Sequence, residues 1–353
     1  MSGDGVTYGE LREALSSPAV LEELTDREVP VLQVDMGDAT AAPGVVAAAG
    51  PGEVRAGDEM VDQEVAGRWA ALPLVLVGVG EPAEPQSAAA ALVDVAVGAD
   101  RSAAEAVFQA VAHHPMASVA LSLLLRAGGS LSIAEGLVAE SAAYSMLQSG
   151  PEFAAWLAGQ PLPDRFASPA PDQGAVVLVR RVADSLEITL NRPAVHNALS
   201  AQMRDELHAA LLVAAADAGL SVHLGGNGPS FCSGGDLSEF GTLPDPASAH
   251  LVRLRRSAGL LLAGMSDRLE VSLHGACRGA GIELPAFAGR VTADRSTSIA
   301  LPEVGLGLIP GAGGTVSLRR RIGRHRTAWL ALSGAVIDAP TALRWGLVDA
   351  IRG

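Results

Sequence analysis

Lysine is absent from this chain of 353 residues, so all 25 basic side chains are arginine, set against 39 aspartates and glutamates for a formal net charge of −14. A chain so short of positive charge has no basic field to gather a phosphate backbone, and nucleic acid is excluded as an expected partner. Every fixed cationic partner must be a guanidinium, whose planar fork suits carboxylate and phosphate groups. Cysteine is also scarce: Cys232 and Cys277 are too few for a disulfide framework. Apolar runs such as "LPLVLVGVG" fall far short of the roughly 20 residues that cross a bilayer. The start, "MSGDGVTYGELREAL", has no charged segment followed by an apolar core. These absences predict a soluble protein of a reducing cytoplasm, without a membrane partner. What the sequence has in quantity is apolar side chains, 49% of the total, enough at this length to build more than one core.

Residues 7–36 read as an amphipathic helix, "YGELREALSSPAVLEEL", followed by a strand, "VPVLQVDM". Residues 39–58 are rich in Ala, Gly and Pro and read as a loop. Two strand-like runs come next, at 73–80 and 91–98. From Ser102 to Leu157 apolar residues recur at three- and four-residue steps, the mark of packed helices, with Ser132 placed to cap one and Glu135 three residues on. His113 and His114 read as surface residues within a helix. A proline-rich linker then divides the chain into a first unit at 1–167, the linker core at 168–174 and a second unit at 175–353.

The second unit opens with a hairpin pattern, "AVVLVRRVADSLEITLNRP", interrupted at Ala183 and Asp184. Further on, "GPSFCSGGDLSEF" at 228–240 is a loop of small residues in which Gly234 and Gly235 leave backbone N–H groups free and Asp236 can cap the next helix. A second glycine-rich loop, "HGACRGAGIELPAFAGR" at 274–290, also succeeds a strand pattern and opens a helix, with Glu283 one turn in. Two such loops can aim two N–H groups at one carbonyl oxygen. Twenty residues beyond Glu283 stands Glu303, in "IALPEVGLGLIPGAGG", again a lone carboxylate among apolar residues. Paired carboxylates short of counter-charge hold protons to higher pH, which equips one as acid and the other as base.

Together, "LNRPAVHNALS", "FCSGGDL", "GACRGAGIEL" and "LPEVGLGLIPGAGG" resemble, in order and spacing, the enoyl-CoA hydratase/isomerase (crotonase) superfamily over residues 175–353. The resemblance implies an α/β fold, the crotonase-like β/β/α spiral, here with an additional α/β N-terminal unit. It implies an acyl-CoA thioester as substrate, with coenzyme A part of that substrate and neither a separate cofactor nor a metal. The thioester oxygen would sit in an oxyanion hole between the N–H groups of Gly235 and Ala280. Members that hydrate enoyl-CoA carry two glutamates, which correspond to Glu283 and Glu303, whereas isomerases usually keep one. Polarisation would make C3 electrophilic, Glu283 and Glu303 would activate a water, and Glu303 would protonate C2. The resemblance further places Ala194, His196, Ser233, Asp236, Leu237, Gly279, Pro302 and Gly311 along the substrate, Gly311 with its N–H toward the water. It also implies a homo-oligomer, a trimer or a dimer of trimers, serving fatty acid metabolism. Isomerisation, decarboxylation, thioester hydrolysis and non-catalytic acyl-CoA binding are the alternative readings.

Arg253, Arg255 and Arg256, in the variable stretch after "FCSGGD", read either as CoA phosphate ligands or as a solvated helix face. "RRRIGRHR" at 319–326 reads as a surface turn. Relatives continue beyond the position of Gly353 with helices that cover the site; here residues 91–167 are similar to that tail. The N-terminal half therefore resembles a degenerate crotonase-like unit whose helices at 102–157 would complete the catalytic half, in the same chain or in a neighbour.

Overall fold

Four of the apolar runs pair into an all-parallel sheet in the order β1 (Val6–Thr7), β2 (Val31–Asp35), β3 (Val75–Val79) and β4 (Val95–Ala96). The computed structural model describes residues 5–36, 63–80, 91–98, 101–160, 174–242 and 245–353. The expected loop at 39–58 and most of the expected linker lie outside them. Parallel strands need crossovers, and helices α1 (Tyr8–Ser16), α2 (Pro18–Thr25), α3 (Gln63–Ala71), α4 (Arg101–His113) and α5 (Pro115–Ala127) belong to this part of the chain. A capping box starts α1: Glu10 N–H donates to Thr7 Oγ1 at 3.2 Å and Thr7 N–H donates to the Glu10 carboxylate at 2.7 Å. Leu11 and Leu15 of α1 then join Leu32, Val34, Trp69 and Leu76 in one core. The single helix expected over the N-terminal pattern is two, because Pro18 stands at the first position of α2. Proline also corrects the reading of the adjacent histidines. Pro115 opens α5, so His113 ends one helix and His114 is the N-cap of the next; His113 is exposed and His114 half-buried.

The second region starts with α6 (Ile133–Gln148) and α7 (Pro151–Gly159). Strands β5 (Val177–Val182) and β6 (Ser185–Leu190) form the expected hairpin, turning at Ala183 with φ 51°. Beyond α8 (Ala201–Ala216) and β7 (Ser221–Gly226) come α9 (Pro246–Arg255), α10 (Ala258–Gly264), β8 (Leu269–Leu273), β9 (Ala276–Arg278) and the short α11 (Ala280–Glu283). The chain continues through β10 (Arg290–Asp294), β11 (Ser298–Ala300) and α12 (Gly314–Ile322). Helix α13 (Arg324–Ser333) precedes β12 (Ile337–Asp338), α14 (Ala339–Trp345) and β13 (Ala350–Arg352). Six strands form one sheet in the order β13-β10-β8-β7-β6-β5, and three form a second in the order β12-β11-β9. Successive segments thus feed two sheets in turn, an α/β arrangement that agrees with the β/β/α spiral expected for this half.

The compact units divide elsewhere than at the proline-rich segment. One holds Met1–Ser132 with Arg324–Ser333, the other Ile133–Gly323 with Gly334–Gly353. The physical reason is burial: Leu137, Tyr144, Leu147 and Phe153 of α6 and α7 are at most 9% exposed, and Ser141 and Ser145 are bonded to α9. Of the segment expected to complete the second half, residues 133–159 belong to the second unit of the same chain, whereas α4 and α5 belong to the first unit. The arginine cluster at 319–326 is likewise no surface turn. Arg321 donates to the carbonyls of Leu347 and Ala288, each at 2.8 Å, in the second unit. Arg324, in the first unit, donates to the Ala91 carbonyl at 2.8 Å.

Candidate active site

Both glycine-rich loops end in an N–H group with no acceptor among the described residues. In the first, Leu199 N–H donates to the Gly234 carbonyl at 2.8 Å and Asp236 N–H donates to the Leu199 carbonyl at 3.1 Å. Gly235 lies between these two bonds, its own N–H unused, and Gly234 makes the turn possible with φ 98°. In the second, the Gly279 carbonyl takes both Ile282 N–H and Glu283 N–H, at 2.8 and 2.9 Å. That leaves Ala280 N–H, the first of α11, without a partner among the described residues. The loops are locked to each other, since Arg278 N–H donates to the Cys232 carbonyl at 3.0 Å. A Cβ on Gly281 would stand 2.9 Å from the Cys232 carbonyl carbon, so only glycine lets them approach this far. Cys232 and Cys277 are both buried and free, and burial pushes the Cys232 thiol up to about 12.

Gly235 and Ala280 line a cavity of about 390 Å³, and Glu283 and Glu303 line the same cavity. Glu283 is 2% exposed; its Oε2 accepts from Ala312 N–H and Gly314 N–H, both at 2.8 Å. Glu303 begins a 3-10 turn, Glu303–Leu306, and its Oε2 is buried with no hydrogen-bond partner among the described residues. Gly279 separates the pair: a Cβ there would overlap Oε1 of Glu303 and lie 3.7 Å from Oε1 of Glu283. Burial, then the neighbouring charges of Glu303 and Glu140, raise Glu283 well above the usual carboxylate range. Burial raises Glu303 to about 8. The pair therefore keeps a proton near neutrality, and the two N–H donors on Glu283 favour leaving the negative charge there. No group of three or more metal-ligating side chains occurs among the described residues.

The walls come partly from helices that carry no motif. Tyr144 and Gln148 of α6, Phe153 and Leu157 of α7, and Phe240 face the cavity. Phe153 stacks on Trp156 with ring centroids 5.8 Å apart, and Phe240 meets both rings at 6.4 and 6.1 Å. Gly311 is kept bare by Tyr144, whose ring carbons would lie 2.5 Å from any Cβ at that position. Arg253 also lines the cavity and is neither a solvated face nor a phosphate hook on a free surface. Its guanidinium donates to Ser141 Oγ at 3.0 Å and Gln148 Oε1 at 3.2 Å and lies 4.7 Å from the centre of the Tyr144 ring. Arg255 and Arg256 are exposed.

A third carboxylate carries no motif to mark it. Glu140 of α6, 2% exposed, accepts from Gly313 N–H at 2.7 Å, Thr315 N–H at 2.9 Å and Thr315 Oγ1 at 2.6 Å. Burial, against those hydrogen bonds and the charge of Arg253, raises it to about 7. The signal in the sequence is a stripe at four-residue steps, Gly136, Glu140, Tyr144 and Gln148, a polar seam on a largely apolar helix.

The remaining expected substrate contacts divide. Asp236 and Gly311 line the cavity, but Asp236 is engaged by Arg192 Nη1 at 2.9 Å and accepts from Ser238 N–H at 3.1 Å. The N–H groups that reach Glu283 are those of Ala312 and Gly314. Ala194, His196, Ser233 and Leu237 are not among the cavity-lining residues. Ser233 N–H donates to the His196 carbonyl at 2.9 Å, and Ala194, His196 and Leu237 are exposed. Gly279 and Pro302 also lie off the cavity wall; each precedes a residue that lines it.

Known proteins match about half of the chain. The enoyl-CoA hydratase/isomerase family model covers residues 182–352. The 2,3-dehydroadipyl-CoA hydratase of Escherichia coli is 36% identical over 174 residues, 49% of this chain and 68% of that protein. YhaR of Bacillus subtilis, which carries the enoyl-CoA hydratase/isomerase family name, is 37% identical over 164 residues, 46% of this chain and 64% of that protein. The chain thus spans about two thirds of the length of these relatives. A solved enoyl-CoA hydratase from Thermoplasma volcanium superposes with a TM-score of 0.47 at 31% identity, covering 50% of this chain and 71% of the other. The chain belongs to the enoyl-CoA hydratase/isomerase family.

Proposed function

We propose that the second unit hydrates the 2,3 double bond of an enoyl-CoA thioester. The observation that carries this reading is one cavity lined by two unengaged N–H groups, at Gly235 and Ala280, and by two carboxylates, Glu283 and Glu303. A thioester oxygen bonded to both N–H groups draws electron density from the conjugated double bond and leaves C3 electrophilic. Each such donor contributes about 2.7 to 4 kcal/mol to the transition state. Glu283, the better-solvated anion because of Ala312 and Gly314, takes a proton from water as the oxygen bonds C3. Glu303, lacking a donor on Oε2, is the carboxyl that holds a proton, and it passes that proton to C2. Water is thereby added with no net change of charge. Retention of both carboxylates favours hydration over isomerisation, which needs a single acid–base group to carry one proton between carbons.

The test is the loss of enoyl-thioester absorbance when the protein meets a panel of 2-enoyl-CoAs. The panel spans alkyl chains and a carboxylate-ended chain, since one relative is named for 2,3-dehydroadipyl-CoA. Turnover that disappears in both Glu283→Gln and Glu303→Gln is the expected result. Binding of acyl-CoA without hydration of any member would overturn the reading.

A further inference from the structure

Four consecutive N–H groups, from Ala312 to Thr315, enter helix α12, and two buried carboxylates share them alternately. Ala312 and Gly314 serve Glu283; Gly313 and Thr315 serve Glu140. Gly313, at φ 109°, supplies the turn from which successive N–H groups diverge. The approach of α6 is equally specific: Gly136, one helical turn before Glu140, lies where a Cβ would stand 2.8 Å from Val316 Cγ2. A larger residue at 136 would hold the helix off and leave Glu140 short of its donors.

We propose that Glu140 is a positioning residue for the carboxylate pair. By fixing Gly313 and Thr315 it aims Ala312 and Gly314 at Glu283 Oε2, which leaves Oε1 of Glu283 turned toward Glu303. It is also a fixed neighbour whose charge sets the pH range in which Glu283 can exchange a proton. Among the described residues, the titratable groups that act on this trio are Arg253 of α9, the phenol of Tyr144 and the buried thiol of Cys232; His250 is bonded to Ser141, the neighbour of Glu140, at 2.8 Å. Arg253 is the nearby cation, and it lowers the Glu140 carboxyl while Glu140 raises Glu283 and Glu303. Removing the Glu140 charge therefore lowers the pH at which Glu283 gives up its proton. The inference rests on Glu283 being the base of the proposed hydration, but its test does not require turnover.

The experiment uses the full chain with Glu140→Gln, which keeps the shape, removes the charge, and turns an amide N–H toward one of the two backbone donors. Carboxyl carbons of isotopically labelled glutamate are titrated by NMR, with Glu283→Gln assigning the Glu283 signal, alongside kcat and KM across pH. We expect the Glu283 midpoint and the rising limb of kcat to move to lower pH. We also expect kcat at neutral pH to fall about ten- to a hundredfold, the scale of a misaimed catalytic group, with KM little changed. A folded Glu140→Gln protein with an unmoved Glu283 midpoint overturns the proposal, because a purely structural role would not shift it. Should that variant not fold, Thr315→Val removes only the hydroxyl bond to Glu140, which weakens its charge. A smaller shift in the same direction supports the proposal, and no shift overturns it. Absence of hydration by the unaltered chain would sink the hydratase reading alone, since the titration still decides the role of Glu140.

Discussion

The two units bury acidic side chains in opposite ways. In the first, Asp94 meets the Arg126 guanidinium at 2.6 Å, both side chains at most 1% exposed. Arg126 also donates to the carbonyls of Trp69, Leu72 and Leu74, Leu76 N–H donates to Asp94, and Trp69 offers its ring face to Arg126 and Arg324. Every pole of that pair is answered. In the second, Glu140, Glu283 and Glu303 crowd together with no salt bridge to any of them among the described residues. Only backbone N–H groups, one hydroxyl and the charge of Arg253, which is bonded to none of them, offset them. An answered ion fixes a structure, whereas carboxylates left short of counter-charge hold protons that can be moved. The difference is what marks the second group, and not the first, as the candidate site.

The comparison can be broken most severely at the proposed site. Glu283→Gln or Glu303→Gln should cut enoyl-CoA hydration by about 10² to 10⁴, the usual contribution of a placed acid or base, while the protein melts no lower than before. Steady-state rates beside a thermal melt would show both. In the first unit the signs reverse. Arg126→Ala strands Asp94 and should cost about 3 to 5 kcal/mol of stability, read as a lowered denaturation midpoint, with no direct effect on the chemistry.

A third effect depends on pH. Glu140 and Glu303 hold protons in the folded protein up to about 7 and 8, and Glu283 is raised in the same sense, against 4.5 for a glutamate in the unfolded chain. Between these limits the native state binds more protons than the unfolded one, so stability must fall as pH rises through the window. Thermal midpoints should therefore be lower at pH 8 than at pH 6, and Glu303→Gln should flatten that slope. A midpoint that rose over the same range would contradict the buried, unanswered state of the three carboxylates. The smallest effect lies on the surface. Arg180 and Glu187, 2.6 Å apart on the exposed hairpin, are worth under about 1 kcal/mol, and Arg180→Ala should leave the denaturation midpoint nearly unmoved.

Much of the second unit was legible as local chemistry. "GGD" and "GAGIEL" announce their turns because glycine alone readily takes φ 98° at Gly234 and the pairing of φ 47° with ψ −120° at Gly279, and a lone Glu in an apolar helix start is conspicuous in one dimension. The hairpin break at Ala183 and the strands on either side were readable from alternation. Less visible were features whose cause lies far along the chain. The helices at 133–159 could be read as helices, but not as part of the second unit, because that depends on Ser141, Ser145 and Arg253 meeting across more than 100 residues. The arginines at 319–326 looked solvated because the carbonyls they bind are scattered at 91, 288 and 347.

By itself, then, the sequence determined the strand and helix periodicities, the two glycine turns with their free N–H groups, and the presence of Glu283 and Glu303 in apolar surroundings, since each stems from the backbone freedom or polarity of adjacent residues. Tertiary structure alone decided that the four N–H groups entering α12 are divided between Glu283 and Glu140, that Arg253 is tied down by α6, and that α13 joins the first unit. Those outcomes rest on hydrogen bonds and burial between distant segments, whose energy no local pattern records.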